Sequence, residues 1–182
     1  PSESLGVLPS DRMDSDDSGR DTWIDVPPLP ARIGPYRVLG RLGSGGMGQV
    51  LDVMGPEGRV ALKVANTDLD ARQLQHEDAI LHEFDHPHIP TSHGLETHGG
   101  VICMPMTRYA GVAFERRREG DSPKRVVGII TGVLDVLAHV HERQIAHRDL
   151  KSTNVLIDER DVCVVDFGVA QRFGESAADD ND

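Results

Sequence analysis

Eight residues, His147 to Asn154, set the tightest limits on the architecture of this protein. They read His-Arg-Asp-Leu-Lys-Ser-Thr-Asn, follow an apolar run with helical spacing and precede a short strand pattern at 155–157. Twelve residues after Asn154 comes another aspartate, Asp166, followed by Phe-Gly. Phosphoryl transfer needs a carboxylate that positions a hydroxyl, a cation near the transferred phosphate and oxygen ligands for magnesium. The loop and the next strand end together supply all three.

A glycine-rich stretch, Gly43-Ser44-Gly45-Gly46-Met47-Gly48, lies between two alternating apolar patterns that predict strands. In dinucleotide-binding folds such glycines open a helix. Here a second strand pattern follows, then a Gly-Pro-Glu-Gly turn and a third strand. The stretch therefore predicts a loop between antiparallel strands, whose backbone N–H groups close over phosphates. A Walker A loop is excluded, because no Gly-Lys-Ser/Thr follows the glycines.

One lysine, Lys63, stands among apolar residues in the third strand pattern, Val60 to Val64. With the two-residue period of a strand, Ala61 and Lys63 share one face and the other three residues share the opposite face. A lysine in such surroundings is costly unless it has a partner. For this position taken alone, a snorkelling lysine at a sheet edge is the alternative.

A helix predicted from Asp70 to about Asp85 offers Lys63 a partner. Its start resembles a capping box formed by Asp70 and Gln73. Residues spaced three, four and three apart form one face of this helix: Leu74, Glu77, Leu81 and Phe84. A buried carboxylate in an apolar stripe requires a cation, so Glu77 is expected to pair with Lys63.

The same helix contains His82-Glu83-Phe84-Asp85-His86, which fits the zinc-protease signature His-Glu-x-x-His. A zinc site would need both histidines in mid-helix, one turn apart, and a third ligand. Pro87 follows His86 directly, so the helix is expected to end there or just before. The zinc interpretation is therefore rejected.

In this order, the motifs resemble those of protein kinases. The stretch from His147 to Asn154 resembles the catalytic loop, and Asp166-Phe167-Gly168 resembles the metal-binding motif. His86-Pro87-His88-Ile89 resembles the loop after the helix of the first lobe. Lys151, two residues after Asp149, is typical of serine/threonine kinases, and the glycine loop looks most like the eukaryotic-type kinases of bacteria. The resemblance covers Tyr36 to about Gly174.

The resemblance implies an α+β fold of the protein-kinase type. An N-lobe with an antiparallel sheet and one helix would be followed by an incomplete, mainly helical C-lobe. The expected segments are a disordered acidic, Pro-rich tail (1–32), the N-lobe and hinge (33–106), a partial C-lobe through Asp-Phe-Gly (107–174) and an acidic disordered end (175–182). Within the C-lobe, Ser122 and Pro123 predict the start of a core helix that runs to His141.

The resemblance also implies catalytic roles, with ATP and Mg²⁺ as cofactors and a protein Ser/Thr hydroxyl as the acceptor. Asp149 would accept or orient the hydroxyl proton, and Lys151 would neutralise the γ-phosphoryl group. Asn154 and Asp166 would hold magnesium.

Lys63 and Glu77 would complete the catalytic set, because Lys63, held in place by Glu77, would contact the α- and β-phosphates of the nucleotide. The other residues implied to contact the nucleotide are Leu42, Gly43, Ser44, Gly45, Gly46, Met47, Gly48, Val50, Ala61, Met104, Met106 and Leu156. Because Pro105 lacks an N–H, the backbone of Met106 is expected to bond adenine.

Composition restricts the partners and the compartment. The net charge of −11 argues against binding to nucleic acid or to an anionic membrane. The two cysteines, Cys103 and Cys163, lie in apolar strand-like runs and are expected to be buried free thiols of a reducing compartment. No signal peptide is visible, and the most apolar helical run is too short to span a bilayer. A cytoplasmic protein is therefore predicted.

The sequence stops shortly after Asp166-Phe167-Gly168, so the kinase domain is expected to be truncated. Two functions stay open: a serine/threonine kinase domain, or a catalytically inactive remnant that binds a nucleotide or a partner. A polypeptide that completes the lobe is left open as a partner. The apolar side of the helix 126–141, with His147 and Phe167, is expected to lack its packing partners. Ser92 stands where kinases carry a large apolar residue, which is expected to loosen the packing behind Leu81.

Overall fold

The computed structural model describes residues 29–45, 48–117, 121–159 and 161–174. Its first part is a six-stranded antiparallel sheet in the order β1-β2-β3-β4-β6-β5. The strands are β1 (Arg32–Ile33), β2 (Tyr36–Gly45), β3 (Gly48–Gly55), β4 (Gly58–Val64), β5 (Glu96–His98) and β6 (Val101–Met106). Of the two predicted disordered ends, residues 1–28 and 175–182 lie outside the described part, whereas Leu29 packs on the sheet and Arg32 begins β1.

Side chains of strand β4 point alternately to the two faces of the sheet, and each face has its own core. The outer core lies on the face of Leu62 and consists of Ile33, Tyr36, Leu51, Val53, Leu62, Val64 and Cys103. The inner core lies on the face of Ala61 and consists of Ala61, Leu74, Ile80, Leu81, Phe84, Ile89, Met104, Met106, Val136, Val140, Ile145, Val164, Phe167 and Ala170. Lys63 shares the inner face, as its spacing predicts.

A single helix, α1 (Asp68–Leu81), covers the inner face of the sheet. It begins two residues before the predicted start, because Thr67 is the N-cap: its side chain accepts from the backbone N of Asp70, and the Asp70 carboxylate accepts from the backbone N of Thr67. It ends four residues before the predicted Asp85, because the amides of Glu83 and Phe84 donate to carbonyls only three residues back. The predicted capping pair, Asp70 with Gln73, is therefore wrong by three residues: the pair is Thr67 with Asp70.

The second part is built on helix α2 (Pro123–Glu142), which starts at the predicted N-cap Ser122. Two small sheets accompany the helix. One has the order β10-β9-β7, and in the other β8 pairs with β11. Their strands are β7 (Val112–Ala113), β8 (Ile145–Ala146), β9 (Val155–Ile157), β10 (Val162–Val164) and β11 (Gln171–Arg172). A Cβ added at Gly132 would lie 2.2 Å from Val162 Cγ1, so this glycine allows α2 to approach β10 closely.

Helix α2 carries two apolar faces. Ile129, Val136 and Val140 are buried against the rest of the chain. Val127, Ile130 and Leu134 lie on another face and are exposed. The expectation of a bare apolar side therefore holds for one face of this helix.

Three expectations about packing are wrong. Phe167 and His147 do not lack partners, because both are buried within the described chain. Ser92 does not loosen the packing behind Leu81, which is itself buried. Ser92 is buried as a polar group, since its Oγ donates to Asp78 Oδ1 at 2.5 Å and accepts from the amide of Gly94 at 3.1 Å.

The zinc-protease pattern does not form a site. His82 is the C-cap of α1 and His86 lies beyond the helix, so the two rings do not stand one helical turn apart. Among the described residues, no group of three or more His, Cys, Asp and Glu side chains is arranged to hold a metal ion. The described helices also include none that is both long and apolar enough to cross a membrane.

Candidate active site

A buried ion pair joins strand β4 to helix α1. Lys63 Nζ lies 2.5 Å from Glu77 Oε2, so the structure brings together the two residues that the spacing paired. The same Nζ lies 2.7 Å from Asp166 Oδ1, and one ammonium is therefore shared by two carboxylates. Burial by itself would lower the pKa of Lys63, but the charges of Glu77 and Asp166 outweigh it and raise that pKa above its ordinary value. Lys63 is a cation at neutral pH.

The second oxygen of Glu77 holds the backbone of the Asp-Phe-Gly turn. The backbone N of Phe167 donates to Glu77 Oε1 at 3.1 Å. Burial raises the pKa of Glu77, whereas Lys63 and this amide act in the opposite direction. The ring of Phe167 is buried against Phe84 and His147, with ring centroids 5.3 Å and 4.5 Å apart. Glu77 thus couples α1 both to β4 and to the turn that carries Asp166.

The loop before β9 orients Asp149. Lys151 Nζ lies 2.7 Å from Asp149 Oδ2. Asn154 Nδ2 donates to the backbone O of Asp149 at 2.9 Å and to its Oδ2 at 3.1 Å. The hydrogen bond from Lys151 is the main reason that the pKa of Asp149 lies below its ordinary value. Asp149 is therefore a carboxylate anion held in place by its own loop.

His147 joins that loop to the turn of Asp166. Its Nε2 lies 3.1 Å from the carbonyl O of Val165, and its Nδ1 accepts from the amide of Asp149 at 3.3 Å. The backbone N of Val165 donates to the carbonyl O of Asn154 at 2.9 Å. Asp166 itself adopts φ 68°, a left-handed conformation that is uncommon for a non-glycine residue. The two loops thus form one unit that carries Asp149, Asn154 and Asp166.

The inner face of the sheet forms a wall beside Lys63. Val50 pairs with Lys63 across the strands, and Met104 and Met106 lie opposite Lys63 and Ala61 on the other side. Both methionines are buried in the inner core. The backbone of Met106 is flanked by Ala61 and by a bridge to Ser92, so its contact with adenine stays a prediction. Leu156, half-buried in β9, belongs to the second part of the chain.

The glycine loop joins β2 to β3 as a hairpin. Gly43, Ser44 and Gly45 pair with the start of β3, and Leu42 just before them is exposed. Gly48 has φ 101°, and a Cβ there would lie 2.3 Å from the carbonyl O of Val64, so only glycine fits. Gly46 and Met47, which were also predicted to contact the nucleotide, lie outside the described residues.

Comparison with known proteins agrees with this geometry. Residues 36–181 match the protein kinase domain family. This chain belongs to that family.

Its curated relatives include serine/threonine-protein kinases of bacteria. PrkC of Bacillus subtilis is 30% identical over 149 residues, which are 75% of this chain and 23% of PrkC. PkaB of Streptomyces coelicolor is 30% identical over 161 residues, 79% of this chain and 38% of PkaB. The crystal structure of the PknI kinase domain of Mycobacterium tuberculosis superposes with a TM-score of 0.62 at 28% identity, covering 78% of this chain and 63% of PknI's. The chain thus spans well under half the length of these two curated kinases.

The side chains of Asp166 and Asn154, carried by the two joined loops, fit the magnesium ion that this kinase family implies. Asp166 and Asn154 offer a carboxylate and an amide oxygen, the hard oxygen donors that Mg²⁺ prefers. Mg²⁺ is usually held by one or two carboxylates together with phosphate oxygens, so a small protein donor set is sufficient. Asp166 would hold the ion together with Asn154.

Sequence reasoning missed one charged cluster of this kinase domain. Asp52, in β3, is buried and contacts both Arg59 and Arg108. Asp52 lies within an apolar strand pattern, which could have marked it as a buried carboxylate in need of a cation. Nothing in the local sequence pointed to Arg108, because it is 56 residues away.

Proposed function

We propose that this chain is the ATP-binding part of a serine/threonine protein kinase, which transfers the γ-phosphoryl group of ATP to a protein hydroxyl. The single observation that carries the proposal is the Lys63 ammonium shared by Glu77 and Asp166, with Glu77 also accepting from the Phe167 amide. A cation for phosphates and a carboxylate for a metal thereby lie next to each other. Residues 33–106 would be the N-lobe with the hinge, and residues 107–174 part of the C-lobe.

Each group of the site has a proposed task. Lys63, oriented by Glu77, binds the α- and β-phosphates, and the backbone N–H groups of the glycine-rich stretch 43–48 cover the phosphate chain. Val50 and Ala61 pack above the adenine, and Leu156 packs below it. Mg²⁺, when bound by Asp166 and Asn154, would neutralise charge on the phosphate oxygens.

Asp149 is the proposed base of the reaction. Its lowered pKa keeps it ionised, so it can accept or orient the proton of the substrate hydroxyl. Lys151, which now contacts Asp149 Oδ2, is the cation placed to neutralise the transferred phosphoryl group. Asn154 Nδ2 donates to the backbone O of Asp149 and to its Oδ2, and the second hydrogen bond orients the carboxylate.

A cytoplasmic location is part of the proposal. Cys103 and Cys163 are both buried and free, and burial raises their pKa to about 11 and about 12. Unpaired, unreactive thiols agree with a reducing compartment, where ATP is also available.

The test measures phosphoryl transfer from radiolabelled ATP to a serine-containing protein, with Mg²⁺ present or replaced by EDTA. Transfer that needs Mg²⁺ and disappears in Lys63→Met would support the kinase. If ADP binds in calorimetry but no phosphoryl transfer occurs, the chain is a nucleotide-binding remnant. If Lys63→Met binds ADP as tightly as the wild type, the assigned phosphate site is wrong.

A further inference from the structure

We propose that Arg108 is a positioning residue for the nucleotide. By pairing with the buried Asp52, it holds the segment 107–111, which connects the two parts of the chain, against the adenine side of the sheet. This inference rests on the proposed function, because it concerns the same nucleotide site.

Asp52 is a charged group on the nucleotide side of the sheet. It lies two residues after Val50 in β3 and opposite Ala61 in β4, so all three side chains share the inner face. Val50 and Ala61 are the proposed adenine contacts. Asp52 is only 6% exposed, and a buried carboxylate without cations would be strongly destabilising.

Two arginines meet that carboxylate in different ways. Arg59, on the neighbouring strand, donates through Nε at 2.8 Å and through Nη2 at 2.6 Å. Arg108 donates through Nε at 3.0 Å and comes from the connecting segment. The hydrogen bond from Arg59 is the main reason that the pKa of Asp52 is lowered, and Arg108 adds to it. The carboxylate is thus an anion that binds one cation of its own sheet and one of the connecting segment.

The two contacts therefore have different consequences. The side chain of Arg59 is 50% exposed and ties two strands that the sheet already pairs. The side chain of Arg108 is 21% exposed and ties the sheet to the residues just after Met106, where β6 has ended. Thr107 is held separately, because its amide donates to Thr91 O at 2.9 Å. Without the Arg108 tie, the segment after Thr107 loses one of its anchors, and ordering it when the nucleotide binds reduces affinity.

The experiment compares Arg108→Gln with the matched variant Arg59→Gln, which loses two hydrogen bonds to the same carboxylate. Calorimetry with ADP and Mg²⁺ is expected to show about tenfold weaker binding for Arg108→Gln, about 1.4 kcal/mol. Arg59→Gln is expected to stay within about twofold of the wild type, or about 0.4 kcal/mol. Arg108→Lys should restore part of the loss, because Arg108 uses a single donor. Equal affinity of Arg108→Gln and the wild type overturns the proposal, and so does equal weakening by both glutamine variants.

Two further measurements locate the effect. Arg108→Gln should weaken the binding of adenosine and leave the binding of inorganic tripolyphosphate unchanged, because Arg108 lies on the adenine side. Weaker binding of tripolyphosphate alone would contradict the proposal. If the wild type binds no ADP, the proposed function fails. In that case, hydrogen exchange of the amides 107–111 tests whether the contact of Arg108 with Asp52 holds the connecting segment. Faster exchange in Arg108→Gln than in Arg59→Gln supports it, and equal exchange in both overturns it.

Discussion

At the scale of single residues, Glu77 links two parts of the site, because each of its two oxygens binds a different one. One oxygen receives the ammonium of Lys63 and the other the backbone amide of Phe167. A shift of α1 would therefore pull Glu77 away from Lys63 and from the turn that carries Asp166 at the same time. The position of α1 therefore affects both contacts together.

Asp166 is expected to make nucleotide binding depend on magnesium. Replacing it with alanine removes the proposed carboxylate ligand while leaving Lys63 paired with Glu77. Calorimetry with ATP should then show that adding Mg²⁺ raises the affinity of the wild type but hardly that of Asp166→Ala. Equal ATP affinity of the wild type with and without Mg²⁺ would remove the metal role from Asp166.

Asp149→Asn is expected to slow phosphoryl transfer and to spare nucleotide binding. The amide keeps the size of the side chain but cannot accept the hydroxyl proton, a role that contributes about 10²–10⁴-fold in rate. Transfer rate and ADP affinity are measured on the same preparation. A variant that keeps more than half of the wild-type rate would exclude Asp149 as the base.

His147 is expected to make stability depend on pH. Burial lowers its pKa, and the neutral ring already uses both nitrogens, on Val165 O and on the Asp149 amide. Because the folded pKa lies below the unfolded value of about 6.5, the unfolded state binds more protons between the two values. Stability is therefore full above pH 6.5 and is lost as the pH falls towards the folded pKa. The free energy of unfolding, measured with urea at several pH values in this range, should change less with pH in His147→Asn than in the wild type. An unchanged pH dependence would contradict the assignment.

At the level of elements, α2 shows how one helix can have a covered and an uncovered apolar face. Neighbouring isoleucines point to the two faces: Ile129 is 4% exposed and Ile130 is 52% exposed. Helix propensity treats the two positions alike, so any difference between them comes from packing.

Alanine at these two positions is expected to separate packing from propensity. Ile129→Ala should reduce the free energy of unfolding by about 2–5 kcal/mol, the range for buried isoleucine. Ile130→Ala should change it by less than about 0.5 kcal/mol, as is usual at the surface. Both are measured by chemical denaturation. Similar losses would mean that the face of Ile130 is covered in solution, for instance by a second copy of the chain.

For the whole molecule, the inner core is continuous, since Leu81 and Phe84 of the first part share it with Val136, Val140 and Phe167 of the second. The outer core belongs to the sheet alone. Strand β4 is therefore enclosed by cores on both faces, whereas α2 is covered on one face only.

Hydrogen exchange is expected to follow this asymmetry. Amides of β4 around Lys63 should exchange slowly, and those of α2 should exchange much faster, because local opening of a half-covered helix exposes less apolar surface. Mass spectrometry of peptides from the two elements provides the comparison. Uniform protection, together with a single cooperative melt of a monomer, would contradict the prediction.

Local patterns in the sequence determined the motifs, the antiparallel strands around the glycine loop, the start of α2 and the pairing of Lys63 with Glu77. The first three depend on neighbours in the chain or on the period of one element, and the kinase motifs have a known order. The pairing of Lys63 with Glu77 followed from the need of each buried charge for a partner. The predicted start of α1 is wrong, because the side chains of Thr67 and Asp70 each accept from the backbone N of the other residue. Asp70 and Gln73 have the same three-residue spacing and therefore fit the same sequence pattern. Only the tertiary structure placed Arg108 on Asp52, buried Phe167 against His147 and bonded Ser92 to Asp78. Such contacts join different elements, and their geometry depends on how the helices pack on the sheet, which no local pattern encodes.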